Sequence, residues 1–107
     1  MRVELLYWDG DADYMSARQN LVEVLTEDAF ETTIQMIAVS SDEDAAFLSF
    51  PGSPTIRIDG QDVVPPDEGE PLTLTCRVYR LRDGRSSPLP DPEDVRARVR
   101  QALRQEA

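Results

Sequence analysis

Histidine and lysine are absent from this chain of 107 residues, and Cys76 is its one cysteine. Without histidine there can be no Ser-His-Asp triad, no Cys-His pair and no imidazole zinc site. A single cysteine cannot form an internal disulfide or a dithiol redox pair. The chain also lacks any apolar run close to the roughly 20 residues that a membrane-spanning helix needs. These absences exclude most nucleophilic, metal-centred and disulfide-based chemistry.

The start of the sequence carries no targeting signal that we recognise. Glu4 interrupts the short apolar stretch of residues 1–8, and no small-residue cleavage site follows it. A secretory signal requires an unbroken apolar core and such a site. We therefore expect a cytoplasmic location and no association with a membrane.

Acidic residues dominate the composition and are unevenly distributed. The formal net charge is -10, with 21 acidic residues against 11 basic ones, all of which are Arg. Residues 1–70 hold 16 acids and 3 Arg, whereas residues 71–107 hold 5 acids and 8 Arg. Because such a surface repels phosphates over most of its area, we expect no nucleic-acid partner. An acidic surface also serves solubility alone.

Periodicity and turn signals predict the order β-α-β-α-β-β-α in one domain that spans residues 1–107. Each of the first five elements is indicated by a local signal. In chain order these signals are a buried apolar run, an apolar helical stripe, a β-branched stretch, a capping box of Ser40 with Glu43, and an Asp-Gly turn that ends the fifth element. The predicted strands cover 3–8, 32–39, 55–58 and 72–79, and the predicted helices cover 13–26, a short stretch from residue 40, and a last one from Pro92 with Asp91 as N-cap.

Two features of the second half bear on function. Residues 61–71 are acidic and rich in proline, and we interpret them as a surface insertion in the last hairpin. The strand predicted after them alternates, with Leu72, Leu74, Cys76 and Val78 on one face. This alternation predicts that the Cys76 thiol points inward and behaves as an inert apolar group.

Four segments in this order resemble a family. They are Tyr7-Trp8-Asp9-Gly10, Gly52-Ser53-Pro54-Thr55-Ile56, Asp59-Gly60 and Cys76-Arg77-Val78-Tyr79. They resemble a small bacterial thioredoxin-like group, the DF-family (seleno)proteins, loosely called alkylmercury-lyase-like, and the resemblance extends over nearly the whole chain. The resemblance implies one thioredoxin-like α/β domain with a mixed four-stranded sheet flanked by helices. It also implies that Pro54 is a cis proline that faces the start of the first long helix.

The resemblance fails at the position that matters most for redox chemistry. Where the family has a nucleophilic cysteine or selenocysteine followed by proline, this chain has Asp11 and Ala12. A helix N-terminus stabilises a carboxylate as it does a thiolate, but thiol–disulfide exchange needs sulfur. We therefore expect the redox function implied by the resemblance to be absent.

The expected site is the cleft beside the cis proline. It would be formed by Trp8, Asp9, Asp11, Ser53, Pro54, Thr55 and Tyr79. Arg77 would pair with Asp9 or Asp11, contact an anionic ligand, or pair elsewhere on the surface. For Trp8, packing in the core is the alternative interpretation. The arginines of the last helix, Arg96, Arg98, Arg100 and Arg104, spread around it and indicate a solvated helix.

Two further sequence features are candidate sites. Asp9-Gly10-Asp11-Ala12-Asp13 looks like the start of a calcium loop, but Tyr14 and Asn20 occupy the positions where that motif requires Gly and Glu. Capping of the helix by Asp11 or Asp13 is the better interpretation, so we expect neither a metal nor a cofactor. Cys76 is the residue that could still perform sulfur chemistry.

The leading hypothesis is a non-redox, thioredoxin-like binding or accessory protein. Clefts of this kind pair with extended peptides through backbone groups beside the cis proline, and this ability does not need the cysteine. The ligand would be a peptide, a partner protein or a small molecule, and the chain would be a monomer or a homodimer. The alternatives are a single-cysteine thiol oxidoreductase or thiol or metal sensor acting through Cys76, and, ranked last, an enzyme that uses Asp11 as general acid or base.

Overall fold

The fold is described by a computed structural model that covers residues 1–27 and 32–106. Over these residues the strands and helices are β1 (Val3–Tyr7), α1 (Tyr14–Glu27), β2 (Ile34–Ala38), α2 (Asp42–Phe47), β3 (Thr55–Ile58), β4 (Gln61–Asp62), β5 (Tyr79–Arg80), β6 (Ser86–Ser87) and α3 (Pro92–Glu106). The predicted domain 1–107 also includes residues 28–31 and 107, which lie outside the described part. None of the helices in the described ranges is both long and apolar enough to cross a bilayer.

The main sheet has four strands in the order β2-β1-β3-β4. β1 runs parallel to β2 and antiparallel to β3, which in turn pairs antiparallel with β4. β5 and β6 form a separate two-stranded hairpin before α3. The prediction of a mixed four-stranded α/β sheet with helices is therefore confirmed, and the small hairpin is an addition to it.

Helices cover both faces of the sheet, because successive strand residues point to opposite sides. Val3 and Leu5 of β1 are buried in the larger core cluster, to which α1 and α3 contribute their apolar faces. Leu6, which follows Leu5 in β1 and points to the opposite face, belongs to a second cluster with Ala45 of α2 and Phe50. The carboxyl end of β1 and the start of α1 are thus fixed by packing from both sides.

The hairpin after β3 differs from the prediction. Asp59 and Gly60 both have positive φ, of 52° and 82°, as a tight two-residue hairpin turn requires. The chain therefore returns at once as β4, where the carboxylate of Asp62 lies 2.6 Å from Nε of Arg57. Residues 61–71 are thus not an insertion within the hairpin, since their first two residues form its second arm.

The strand predicted over residues 72–79 is wrong as well. Only Tyr79 of that range belongs to a strand, and it pairs with Ser87 instead of β3. Val78 is 77% exposed, and Cys76 is exposed too. The alternation of apolar and polar residues is real in the sequence, but β4 already occupies the edge of β3 that this strand would need.

Two arginines of α3 are held by other elements, in contrast to the predicted solvated helix. The Arg96 guanidinium lies 2.7 Å from the Glu27 carboxylate at the end of α1 and also contacts Glu93. Nη2 of Arg98 donates to the carbonyl of Ile58 and to the side chain of Gln61. These contacts join α3 to α1 and to the β3–β4 turn.

Both predicted caps lie close to where the sequence indicates them. Asp91 accepts from the backbone N–H of Glu93 at the start of α3. The N-cap of α2 is Ser41, whose Oγ accepts from the N–H of Asp44 at 3.0 Å. The predicted capping box of Ser40 with Glu43 is therefore wrong by one residue.

Substitution of Ser40 and of Ser41 tests which of the two serines is the N-cap of α2. We expect Ser41→Ala to lower the free energy of unfolding by about 1 kcal/mol, because an N–H of α2 loses its acceptor. Ser40→Ala is the matched control, since Ser40 is exposed and makes no cap in the described structure. Urea denaturation followed by circular dichroism measures both. Equal losses for the two variants would contradict the assigned cap.

Candidate functional site

The carboxyl end of β1 meets the loop before β3 in a buried polar network. The Ser53 hydroxyl donates to Oδ2 of Asp11 at 2.7 Å and accepts from the backbone N–H of Trp8 at 3.0 Å. The other carboxylate oxygen of Asp11 accepts from the N–H of Asp13 at 2.9 Å. Asp11 is only 2% exposed and Ser53 is fully buried. Every side-chain oxygen in this network therefore has a hydrogen-bond partner.

This arrangement explains what the Asp11 carboxylate does. A buried carboxylate requires donors that replace its lost water, and the Ser53 hydroxyl and the Asp13 N–H supply them. The hydrogen bond to the Asp13 N–H is a turn contact ahead of α1, which begins at Tyr14, so it does not cap an N–H of the helix as the sequence predicted for Asp11. With both oxygens engaged, Asp11 is not presented as a calcium ligand or as a general acid or base. Nowhere in residues 1–27 and 32–106 do three acidic, Cys or His side chains lie close enough to hold a metal ion.

The loop that carries Ser53 is fixed by two further buried hydrogen bonds. The Ser53–Pro54 peptide bond is cis. The Thr55 hydroxyl donates to the carbonyl of Gly52 at 2.6 Å, and the Tyr79 phenol donates to the carbonyl of Pro54 at 2.5 Å. Burial raises the pKa of the Tyr79 phenol far above its usual value, an effect that the nearby Arg77 only partly opposes. The phenol is therefore a permanent donor near neutral pH.

Residues 75–77 lie directly against this loop. The backbone N–H of Ser53 donates to the carbonyl of Thr75 at 2.7 Å, and the N–H of Arg77 donates to the carbonyl of Ser53 at 2.8 Å. This is a parallel bridge between Ser53 and Cys76. Gly52 permits the approach, because its φ is +136° and a Cβ there would lie 2.8 Å from Cγ of Arg77. Both backbone groups of Ser53 are thus used within the chain.

The predicted cleft residues are brought together, but they do not form an open cleft. Asp11, Ser53, Pro54, Thr55 and Tyr79 are all buried. Five of the seven predicted site residues are therefore structural in this fold. They hold the start of α1, the loop before β3 and residues 75–77 against one another.

The remaining two predicted cleft residues lie at the border of this network. Asp9 is exposed, and Trp8 is half-buried. The Trp8 indole covers Gly10 so closely that a Cβ on this glycine would lie 2.3 Å from the ring. Trp8 thus packs on its own loop. It is neither a buried core residue nor a fully exposed cleft wall, which are the two roles considered from the sequence.

Arg77 does not pair with Asp9 or Asp11, the partners considered from the sequence. Its guanidinium carbon lies 4.4 Å from the centre of the Tyr79 ring, and its Nη2 donates to the carbonyl of Val64 at 2.9 Å. The hydrogen bond joins residues 75–79 to the segment that follows β4, whereas the cation–π contact lies within residues 75–79.

The prediction of an inward-facing Cys76 thiol is wrong. Cys76 is exposed, since residues 72–78 do not enter the sheet that would have buried its side chain. Desolvation raises the pKa of its thiol, and the negative charges of Asp11 and Asp13 raise it further. The exposed thiol is therefore mostly protonated near neutral pH.

An open groove of about 640 Å³ lies next to the buried network. One wall comes from the acidic, proline-rich segment and the other from residues 75–80. The lining residues are Pro51, Val64, Pro65, Pro66, Asp67, Glu70, Pro71, Thr75, Cys76, Arg77, Val78, Tyr79, Arg80 and Ser86. The sequence prediction missed this groove, although the prolines of residues 65–71 were a signal of an extended, non-sheet wall.

The backbone of residues 76 and 78 is unpaired at this groove. Because Ser53 bonds to Thr75 and Arg77, the N–H and C=O of Cys76 point away from it, as in any strand. In the described part of the chain, neither these groups nor those of Val78 have a hydrogen-bond partner. We call the unpaired backbone groups of Cys76 and Val78, two residues that line the groove, the free edge.

Comparisons with known proteins give no relative. No protein-family model, no curated protein and no solved structure matches this chain.

A double-mutant cycle tests the buried network. Ser53→Ala should lower the free energy of unfolding by about 2 to 3 kcal/mol, because the Trp8 N–H and one Asp11 oxygen lose their partner in the interior. Asp11→Ala should be destabilising as well, and the two effects should be non-additive by about 1 to 3 kcal/mol. Chemical denaturation of both single variants and the double variant provides the measurement. Strict additivity would show that the two side chains do not act together.

Proposed function

We propose that this chain is a thioredoxin-like protein without redox activity that binds an extended segment of a partner protein. The four motif segments and the element order support the family relationship. So does the contact between the loop after β1 and the cis-proline loop, through the hydrogen bond of Ser53 to Asp11. These are the two loops that the thioredoxin resemblance expects to meet.

The absence of redox activity follows from the chemistry at position 11. A carboxylate cannot attack a disulfide, and Asp11 is buried and engaged by two donors. Cys76 has no second cysteine with which to resolve a mixed disulfide. The chain therefore lacks the dithiol that a disulfide reductase cycles.

The observation that carries the binding function is the free edge at Cys76 and Val78 beside the open groove. In the family, as the resemblance implies, a peptide pairs with the backbone next to the cis proline. Here those groups of Ser53 are taken by residues 75–77, so an incoming segment has to pair one strand further out. An unpaired strand edge is a ready site for such strand addition.

Two measurements on the wild-type chain test this proposal together. In an insulin-reduction assay we expect the background rate, unchanged in Cys76→Ser. A peptide library presented to the folded chain should yield binders that protect the amides of Cys76 and Val78 from hydrogen exchange. The amides of Ser53 and Arg77 serve as internal controls, because they are already paired in the free protein. Turnover of disulfides, or binders that leave both edge amides unprotected, would overturn the proposal.

A second candidate function is supported by the exposure of Cys76, which leaves its thiol accessible to reagents and ligands. This function would be a single-thiol sensor or enzyme. The raised pKa weakens it, because the thiolate is the reactive form and desolvation together with Asp11 and Asp13 disfavours it. The accessible but protonated thiol therefore ranks below the binding edge.

The pH dependence of alkylation distinguishes the two candidates. Since the pKa of Cys76 is raised, its thiolate fraction at pH 7 is smaller than that of a free thiol, so the native protein should react completely but slowly. The rate should rise about tenfold per pH unit from pH 6 to 8 and should level off only above the usual thiol pKa of about 8.5. Asp13→Asn should increase the rate at pH 7.5 by about twofold, because it removes one of the charges that oppose the thiolate. Asp9→Asn is the charge-matched control. A fast, pH-independent reaction between pH 6 and 8 would instead favour the thiol function.

A further inference from the structure

β2 forms one edge of the main sheet, and its outer side has no partner in the described part of the chain. The N–H of Val39, just past β2, donates to the carbonyl of Tyr7 in β1. Backbone groups of successive strand residues point to opposite sides, so those of Ile34, Met36 and Ala38 point away from β1. Within the described residues, none of these outward groups has a hydrogen-bond partner.

This outer side of β2 lacks the features that keep sheet edges from pairing with other chains. Natural edge strands are commonly very short or carry charges, proline or a bulge. Residues 32–41 contain no charged residue and no proline, although 30% of the chain is charged. The opposite edge of the sheet, β4, has only two residues, carries the Asp62 charge, and is soon followed by Pro65 and Pro66. In the main sheet, β2 is thus the edge that is open to strand addition.

The apolar side chains of β2 are incompletely covered on both faces of the sheet. Ile34 and Met36 pack at the border of the cluster shared with α1 and α3, and both are half-buried. Ile37 does the same on the opposite face, and Ala38 is exposed. A strand added at this edge would therefore bury apolar surface in addition to satisfying backbone groups.

We propose that two copies of this chain associate through β2, which pairs antiparallel with its counterpart about a two-fold axis at Met36. In this register Met36 lies opposite the same residue of the second copy. Ile34 lies opposite Ala38 of the second copy, so a large side chain meets a small one on one face. All three residues then exchange both of their outward backbone groups across the axis, and the two main sheets become continuous.

The charge of this edge favours a second copy over a charged segment of another protein. Residues 32–41 offer no carboxylate to a basic segment and no cation to an acidic one. β2 is itself an uncharged strand, and its side chains match one another in size in the two-fold register. Two copies can therefore meet through β2 without like charges on the paired strands, even though each carries a net charge of -10.

This inference is independent of the proposed binding function. No residue of β2 lines the groove, which is formed by the segment after β4 and by residues 75–80 together with their neighbours. β2 and β4 are the opposite edges of the main sheet. Because one short strand of each copy takes part, we expect a weak dimer, below the roughly 1,200 Å² of buried surface that is typical of stable interfaces.

Sedimentation and hydrogen exchange of the wild-type chain test the association. We expect a monomer–dimer equilibrium that shifts toward the dimer as salt is added, because salt screens the repulsion between two acidic copies. The amides of Met36 and Ala38 should gain protection as the protein concentration rises. Those of Gln35 and Ile37 are internal controls, since they point toward β1 already. A chain that remains monomeric at about 1 mM would overturn the inference.

Two lysine substitutions provide matched variants. Ala38→Lys places a charge at an exposed position of β2, and we expect it to raise the Kd of the dimer at least tenfold. Gln101→Lys makes the same change in net charge at an exposed position of α3 and should alter the Kd by less than about twofold. Circular dichroism verifies that both variants are folded. Equal effects would reduce the response to overall charge and overturn the inference.

Disulfide crosslinking in a Cys76→Ser background tests the register. Met36→Cys should form a covalent dimer on mild oxidation, because opposite residues of a hydrogen-bonded pair have Cα atoms about 5.5 Å apart, within reach of a disulfide. Gln35→Cys is the control from the same strand, since its counterpart would lie diagonally, about 7 to 8 Å away. A dimer without the Met36→Cys crosslink would overturn the inference. So would a monomer whose Met36 and Ala38 amides are protected only by an uncharged peptide, which would assign this edge to a different protein.

Discussion

Ser53 is the residue on which the arrangement of this protein depends. Its hydroxyl holds the Asp11 carboxylate and the Trp8 N–H, and its backbone N–H and C=O hold residues 75–77. All of its hydrogen-bonding groups are therefore used, in an interior from which water is excluded. The loop after β1, the cis-proline loop and the chain that crosses them would have no common contact without it. The free edge at Cys76 exists because Ser53 fixes the segment that carries it.

The buried Asp11 carboxylate and the open groove both depend on the hydrogen bonds of Ser53. Asp11 stands where the family resemblance expects a nucleophile, and it stabilises the loop instead of reacting. Residues 75–77 pair with the backbone of Ser53 and leave their own outer edge unpaired. Under the proposed function, this outer edge is the binding surface.

Local signals in the sequence were enough for most of the fold. The apolar run at 3–8, the stripe of α1, the Asp-Gly turn and the Pro92 start of α3 each depend on neighbouring residues, and each predicted element is present. The alternation of residues 72–79 led to a wrong strand prediction, because an edge strand also needs an unpaired strand beside it. The short β4 already pairs with the edge of β3 that was expected to be free. The N-cap of α2 was predicted one residue too early, because the sequence alone does not distinguish the neighbouring serines Ser40 and Ser41.

The site was harder to predict than the fold because it depends on contacts between distant residues. The meeting of Asp11 with Ser53 was expected from the resemblance, but not that both would be buried and mutually satisfied. No pattern in residues 75–77 indicates that they pair with Ser53, since this contact is specified by Gly52, where a larger residue would collide with Arg77. The groove forms because residues 75–77 pack against Ser53. Since the sequence does not predict that contact, it could not predict the groove either.

The segment between β4 and Cys76 is attached to the rest of the fold near both of its ends. Between these two attachments it is not part of the main sheet. Near its start, the N–H of Val63 donates to the carbonyl of Ile56, and near its end the Ser53 bridge holds residues 75–77. Loops fixed in this way accept changes of length at small entropic cost and leave the flanking strands in register. Residues added or removed between 65 and 71 would therefore widen or narrow the groove without disturbing the hydrophobic layers, so the width of the groove is set independently of the scaffold.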